Sequence, residues 1–366
     1  MIKSIILIKM NLIPAYPAPD FRDIERWSNG RVNSIKDFKG KTILLDFWTY
    51  TCIYCLRTIP TVNKIKEKYQ DKGLEIISIH SAEYEFAKDI VNIEKAITEL
   101  NLNKYLIGFD IKNKTWESYG NSYWPKHIFV DKQGFIRYEH PGYGTLKSFE
   151  EAIQDLLDIP YKDERYITRE NEKKGEFNKV NKENHLQDNS EESEEERTNE
   201  IIKIYGMHFM DMAPEICLGY SRIRRFGNNQ RLKPNEYNIL TDQNTILYNN
   251  VYLRGKWRWD KEGVKASLDS KEKDPAIIFR YNKAANVNII AGPDNNKTAT
   301  AEIKIDNQFL EKEQAGTHIK IKNGKSIIET TWPFVYNIVK TKEREVHKVE
   351  IIPRSENFYF YTFVFG

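Results

Sequence analysis

The sequence predicts two domains of different class. Residues 1–160 read as an α/β domain with a central mixed sheet flanked by helices, and residues 201–366 as an all-β sandwich or jelly roll. Three observations carry this reading. Apolar runs alternate with helix-length segments up to about residue 160. Hydrophobic periodicity then disappears over 161–200, which holds the acidic run Glu191-Glu192-Ser193-Glu194-Glu195-Glu196. Beyond it, short alternating stretches are separated by clusters of Asn, Gly, Asp and Pro. A chain of 366 residues is also longer than one ordinary core supports.

The elements follow in order. Ile43 to Trp48 is a short apolar run of the kind that forms a buried central strand. A turn at Thr49 to Thr51 leads into a helix from about Cys52 to Tyr69, which Pro60 is expected to kink because it lacks an N–H. After Gly73 a second strand, Leu74 to His80, completes a βαβ unit. A helix from about Glu83 to Leu100 precedes a weaker strand at Tyr105 to Phe109. His127 to Val130, the turn Asp131-Lys132-Gln133-Gly134 and Phe135 to Glu139 read as a hairpin. Ser148 to Leu157 closes the domain as a helix, with Ser148 as N-cap and Glu151 completing a capping box.

Residues 161–200 cannot bury enough apolar surface to offset the entropy of ordering them, and they read as a linker. In the second domain, Asn250 to Trp257, Ala276 to Tyr281, Asn286 to Ile290 and Phe358 to Phe365 are candidate strands at sandwich-like spacing. Charged residues make up 30% and apolar residues 40%, the balance of a globular protein outside the membrane. The net charge of +3, with no basic block interleaved with aromatics, gives nucleic acid no support as a partner. Ile5 to Ile8 is too short an apolar run for a signal-peptide core or a membrane span, so no integral membrane segment is expected. The cytoplasm is the expected compartment, with export as the alternative.

Chemistry concentrates at two of the three cysteines, Cys52 and Cys55. A pair three residues apart at a helix start suits dithiol exchange. The first thiol faces solvent where free N–H groups and the helix dipole favour a thiolate, and the second lies one turn inward. Cys52 is thus the expected nucleophile and Cys55 the thiol that resolves the mixed disulfide. Structural zinc uses the same spacing but needs four ligands, and neither a second Cys pair nor an H-x3–5-H spacing among the seven histidines supplies them. A peroxidatic cysteine is also disfavoured, because Leu45 stands where that arrangement has proline four residues before Thr49. No cofactor is expected.

Asp46-Phe47-Trp48-Thr49-Tyr50-Thr51-Cys52-Ile53-Tyr54-Cys55 resembles the thioredoxin-family signature D-F-W-x-x-x-C-x-x-C. Ala18-Pro19-Asp20-Phe21 and Gly40-Lys41 are similar to the TlpA-type branch. Trp48 to Ile53 and Tyr123-Trp124-Pro125-Lys126 resemble the extramembrane half of DipZ-type proteins. Pro214 to Tyr220, Leu253 to Trp257 and Phe363 to Gly366 are similar to the carbohydrate-binding-module-like C-terminal domain of the same proteins. The resemblance implies a thioredoxin-like first domain, a redox-active Cys52–Cys55 disulfide and a cis-proline loop at Trp124-Pro125 facing the cysteines. It also implies that Asp46 is the buried carboxylate that exchanges a proton with Cys55. DipZ-type proteins carry a membrane domain that brings in electrons and this sequence has none. The expected donor is therefore another protein, such as a thioredoxin-reductase-like or membrane redox protein, or a small thiol.

Trp48 and Trp124 are expected to border the cysteines and shape the partner surface, with core packing as the alternative. His80 and His127 read as structural residues. Cys217 reads as a small buried hydrophobe. Trp257, Trp259 and Trp332 read as core aromatics more readily than as a sugar-stacking platform. Two functions of different class result. One is a thiol–disulfide oxidoreductase acting on protein thiols and disulfides. The other is a redox-inactive or redox-sensing adaptor whose β-domain binds a protein or glycan.

Overall fold

The computed structural model describes residues 15–159, 200–207, 212–269 and 274–366. The apolar run Ile5 to Ile8 and, apart from Glu200, the segment 161–200 lie outside the described residues. The chain divides into two compact units, 1–196 and 197–366.

The first unit is a six-stranded mixed sheet. Its strands are β1 (Tyr16–Pro17), β2 (Thr42–Trp48), β3 (Leu74–Ser81), β4 (Leu106–Asp110), β5 (Lys126–Val130) and β6 (Phe135–Pro141), in the spatial order β1-β6-β5-β2-β3-β4. β2, β3 and β4 run parallel, whereas β5 is antiparallel to β2. Side chains alternate between faces along each strand. Ile43, Leu45 and Phe47 join Ile77, Ile79, Ile128, Val130, Trp116 and Tyr119 in one core layer. The intervening residues Leu44, Asp46 and Trp48 therefore face the other way.

Among the described residues four α-helices accompany the sheet: α1 (Ile53–Tyr69), α2 (Ile90–Glu99), α3 (Lys114–Ser118) and α4 (Leu146–Leu156). α1 is assigned as helix straight through Pro60. The helix expected from Glu83 to Leu100 is divided. A 3₁₀ turn spans Glu85–Lys88, and α2 begins only after Asp89, whose extended backbone and carboxylate cap the Val91 N–H at 2.9 Å. The expected Ser148 cap is also corrected. Thr145 is the N-cap of α4, its hydroxyl accepting from the Ser148 N–H at 3.2 Å, so the helix starts two residues earlier than read. The hairpin turn closes at Gly134, whose φ of +90° is the left-handed conformation that glycine adopts without strain.

Among the described residues the second unit is all-β apart from one short helix, α5 (Glu200–Tyr205). Its eleven strands, β7 (Ile216–Cys217) to β17 (Phe358–Phe365), form one hydrogen-bonded network. Two segments expected as separate strands are a single long one, β11 (Ala276–Pro293). It pairs with the still longer β16 (Phe334–Pro353) through register shifts between Tyr281 and Asn286. The same bulge is where β11 changes its other neighbour. Ala276 to Phe279 pair with β9 (Val251–Trp259), and Val287 to Pro293 with β17. β10 (Val264–Ala266) joins β9 to β17 and closes the circuit. Bulges bend strands and re-aim them, which lets one strand pair with two neighbours in succession.

Trp257 is fully buried and donates its ring N–H to the Arg254 carbonyl at 2.6 Å; Trp332 is buried against Phe334. Trp259 donates to the Leu218 carbonyl. Two of the three tryptophans are therefore spent in the core. Cys217 is half-buried rather than fully buried, with the Thr362 hydroxyl donating to its sulfur at 3.5 Å.

Among the described residues no helix is long and apolar enough to cross a membrane.

Candidate active site

β2 ends at Trp48, and the chain turns through Thr49 to Thr51 before α1 begins, with the Cys52 N–H donating to the Thr49 carbonyl at 3.1 Å. Cys52 is the N-cap of α1. Its backbone is extended (φ −87°, ψ 111°) and its Sγ accepts from the Cys55 N–H at 3.2 Å. A helix leaves its first N–H groups without intrahelical acceptors, so a side chain here meets donors already in place. Both cysteines are free thiols; Cys52 is half-buried, whereas Cys55 is 3% exposed. Burial pushes the Cys55 thiol well above its ordinary range, contact with Cys52 adds to this, and the Thr49 backbone acts in the opposite direction.

Beneath Cys55 lies a small, partly open cavity, walled by Asp46, Trp48, Ser78 and Tyr105 from the sheet side and by Thr58, Ile59 and Val62 of α1. Asp46 is half-buried instead of fully buried as expected, its side chain 13% exposed where the cavity reaches it. Ser78, its neighbour on β3, donates to Oδ2 at 3.2 Å. His127, its partner on β5, brings Nε2 to 3.3 Å from Oδ1.

Trp48 is 3% exposed and packs edge-on against His80, so it walls the cavity and does not form an outer rim. The Trp124–Pro125 peptide is cis, as the resemblance implied. Phe47 pairs with Lys126 in antiparallel register, so Pro125 leaves the sheet at the same end as the loop that carries Cys52. Trp124 is half-buried, stacked on Trp116 at 4.2 Å, and Tyr123 beside it is exposed.

The sequence reading passed over two features. Arg57, five residues past Cys52, is buried, and burial lowers its guanidinium to about 10 while Tyr54, Cys52 and Tyr143 act in the opposite direction. An arginine on the apolar face of an amphipathic helix was the available signal. The second is a chain of polar contacts behind the cysteine loop. The Thr49 hydroxyl lies 3.3 Å from His80 Nε2 and 3.4 Å from the Thr51 hydroxyl, which donates to Glu83 at 3.2 Å. Tyr50 stacks on His80, whose complete burial lowers it to about 3.

A half-buried and a buried thiol at a helix start, just past the end of the central strand of such a sheet, define a thioredoxin-like thiol–disulfide oxidoreductase. The Redoxin family pattern matches residues 14–154 and the pattern described as Thioredoxin like C-terminal domain matches 213–366. Thiol-disulfide oxidoreductase ResA of Bacillus thuringiensis is 30% identical over 141 residues, 38% of this chain and 76% of its own. Thiol-disulfide oxidoreductase YkuV of Bacillus subtilis is 26% identical over 141 residues, 38% of this chain and 94% of its own. Protein DipZ of Mycobacterium bovis is 37% identical over 143 residues, 38% of this chain; the match spans a fifth of that protein, 20%. The chain belongs to the TlpA/DipZ-type branch of the thioredoxin-like thiol–disulfide oxidoreductases.

Proposed function

We propose that the Cys52–Cys55 dithiol reduces or exchanges disulfides in partner proteins. The Cys52 thiolate attacks a partner disulfide, forming the Cys52–partner bond and releasing one partner sulfur. Cys55 then attacks Cys52, closing the intramolecular disulfide and freeing the second sulfur. Asp46 takes the Cys55 proton, which burial otherwise holds on the sulfur. Pro125, Trp124 and the neighbouring exposed Tyr123 lie at the end of the sheet where a partner segment reaches Cys52, while Trp48 backs the site from within. The observation that carries this reading is the difference in exposure within the pair, together with the N–H that Cys55 offers to Cys52.

The oxidised pair is reduced again by an external donor, either another redox protein or a small thiol. In the cytoplasm, where glutathione and thioredoxin systems keep thiols reduced, the cycle runs as a reductase. Residues 1–160 carry this chemistry and residues 201–366 position partners. Trapping tests it: Cys55→Ser accumulates partners as mixed disulfides through Cys52, and Cys52→Ser accumulates none. Equal trapping by both variants, or by neither, overturns the assignment.

A further inference from the structure

Asp46 does not stand alone on its face of the sheet. His140, His127, Asp46 and Ser78 occupy consecutive positions across β6, β5, β2 and β3, each directly opposite the next. Side chains so related lie in contact range. His127 is completely buried, and among the described residues neither of its ring nitrogens has a hydrogen-bond partner. Buried imidazoles ordinarily satisfy both nitrogens. Here Nε2 lies 3.3 Å from the carboxylate of Asp46, close enough to meet it by a small rotation, and the ring packs on Phe149 of α4 at 4.5 Å between centroids. The charged and titratable groups facing it are few. Asp46 faces it from β2, His140 from β6 at 6.3 Å between rings, and α4 packs the apolar ring of Phe149 against it. His140 is committed elsewhere, its nitrogens near the Tyr138 hydroxyl and the Tyr143 carbonyl, and burial lowers it.

We infer that His127 is a positioning residue for the resolving step, holding Asp46 toward the cavity beneath Cys55 and sharing the proton that Asp46 takes. The inference rests on the role proposed for Asp46. The Cys55 S–H gives its proton to the Asp46 carboxylate, where His127 Nε2, 3.3 Å from Oδ1, is placed to share it. The Cys55 thiolate then forms its bond to Cys52 Sγ. The bond from Cys52 to the partner breaks, and the partner sulfur leaves with the electron pair. The proton held by the pair passes to that sulfur or to water. Ser78, which donates to the other carboxylate oxygen, fixes Asp46 from the opposite side.

The aromatic disulfide dithiobis(nitrobenzoate) separates the steps, because one coloured thiolate is released when Cys52 attacks and a second when Cys55 resolves. The full chain is used, in a Cys217→Ser background that removes the third thiol. His127→Phe keeps the packing against Phe149 and removes both nitrogens. It is expected to slow the second release about 10²-fold, the lower end of what a positioned proton carrier contributes, and to leave the first unchanged. The pH profile of the second release, read over roughly pH 5 to 8, should change shape. His127→Gln, which again offers Asp46 a donor, recovers part of the rate. Folded His127 variants whose second release and pH profile match the parent overturn the inference while leaving Asp46 as the carrier. If Asp46→Asn also leaves the second release unchanged, the underlying role of Asp46 fails as well. Should neither His127 variant fold, ring NMR of His127 in the parent and in Asp46→Asn decides: a moved titration supports the pairing and an unmoved one refutes it.

Discussion

The backbone N–H of Cys55 donates to the Sγ of Cys52 at 3.2 Å, so the accessible sulfur of the pair is also the one that receives a helix-terminal donor. Cys55 enjoys neither advantage, being 3% exposed and raised by burial. Limiting iodoacetamide added to the reduced protein should therefore label Cys52 first. Peptide mapping that places most of the label on Cys55 would reverse the two roles.

Asp46→Asn keeps the shape of the residue and its contact with Ser78 but removes the base. Reduction of a disulfide under single-turnover conditions near pH 7 should show first attack unchanged and resolution slowed by about 10²- to 10⁴-fold, less whatever water in the cavity recovers. A variant that resolves at the parental rate assigns the proton to some other acceptor.

Much of this site is legible in the sequence because it is local. Asp46 sits near the end of one strand, Cys52 caps the helix that follows and Cys55 lies in its first turn, so spacing alone relates them. The pairing of Asp46 with His127 is not local. It depends on β5 running antiparallel to β2 in a register that a single-residue slip would have turned to the other face. The short apolar strand Lys126–Val130 gives no hint of that register, and His127 accordingly read as a structural residue. Trp48 was expected to border the cysteines or to pack in the core; strand alternation sends it inward with Asp46, where it walls the cavity beneath Cys55. In the second unit, the Asn-rich stretch between Tyr281 and Asn286 looked like a loop between two strands, and it is instead the bulge at which one strand changes partners.

His80 makes acid stability a further test. Its pKa in the fold is about 3, below the value of 6.5 that an exposed histidine has, because burial disfavours the cation. Between these values the unfolded chain binds a proton that the folded chain does not, so stability falls as pH falls through that window. His80→Phe keeps a ring against Tyr50 and removes the titration. Urea midpoints measured against pH should give an acid limb shallower by up to about 1.4 kcal/mol per pH unit. An unchanged limb would mean that His80 takes up its proton inside the fold.

The cap of α4 is a smaller test of the same account. Thr145→Ala removes the hydroxyl that accepts from Ser148 and should cost about 1 kcal/mol in denaturant unfolding, whereas Ser148→Ala leaves that cap intact and costs less. The opposite ranking would restore the cap first expected from the sequence.

The central claim is that Cys52 and Cys55 form one two-electron couple. The most direct measurement equilibrates the protein in thiol–disulfide buffers from roughly −320 to −120 mV and counts free thiols by gel shift after acid quenching. The account predicts that two thiols disappear together in a single transition, with a tenfold change in the oxidised-to-reduced ratio for about every 30 mV, while Cys217 stays free. Three free thiols at every potential, or a disulfide that engages Cys217, would contradict it.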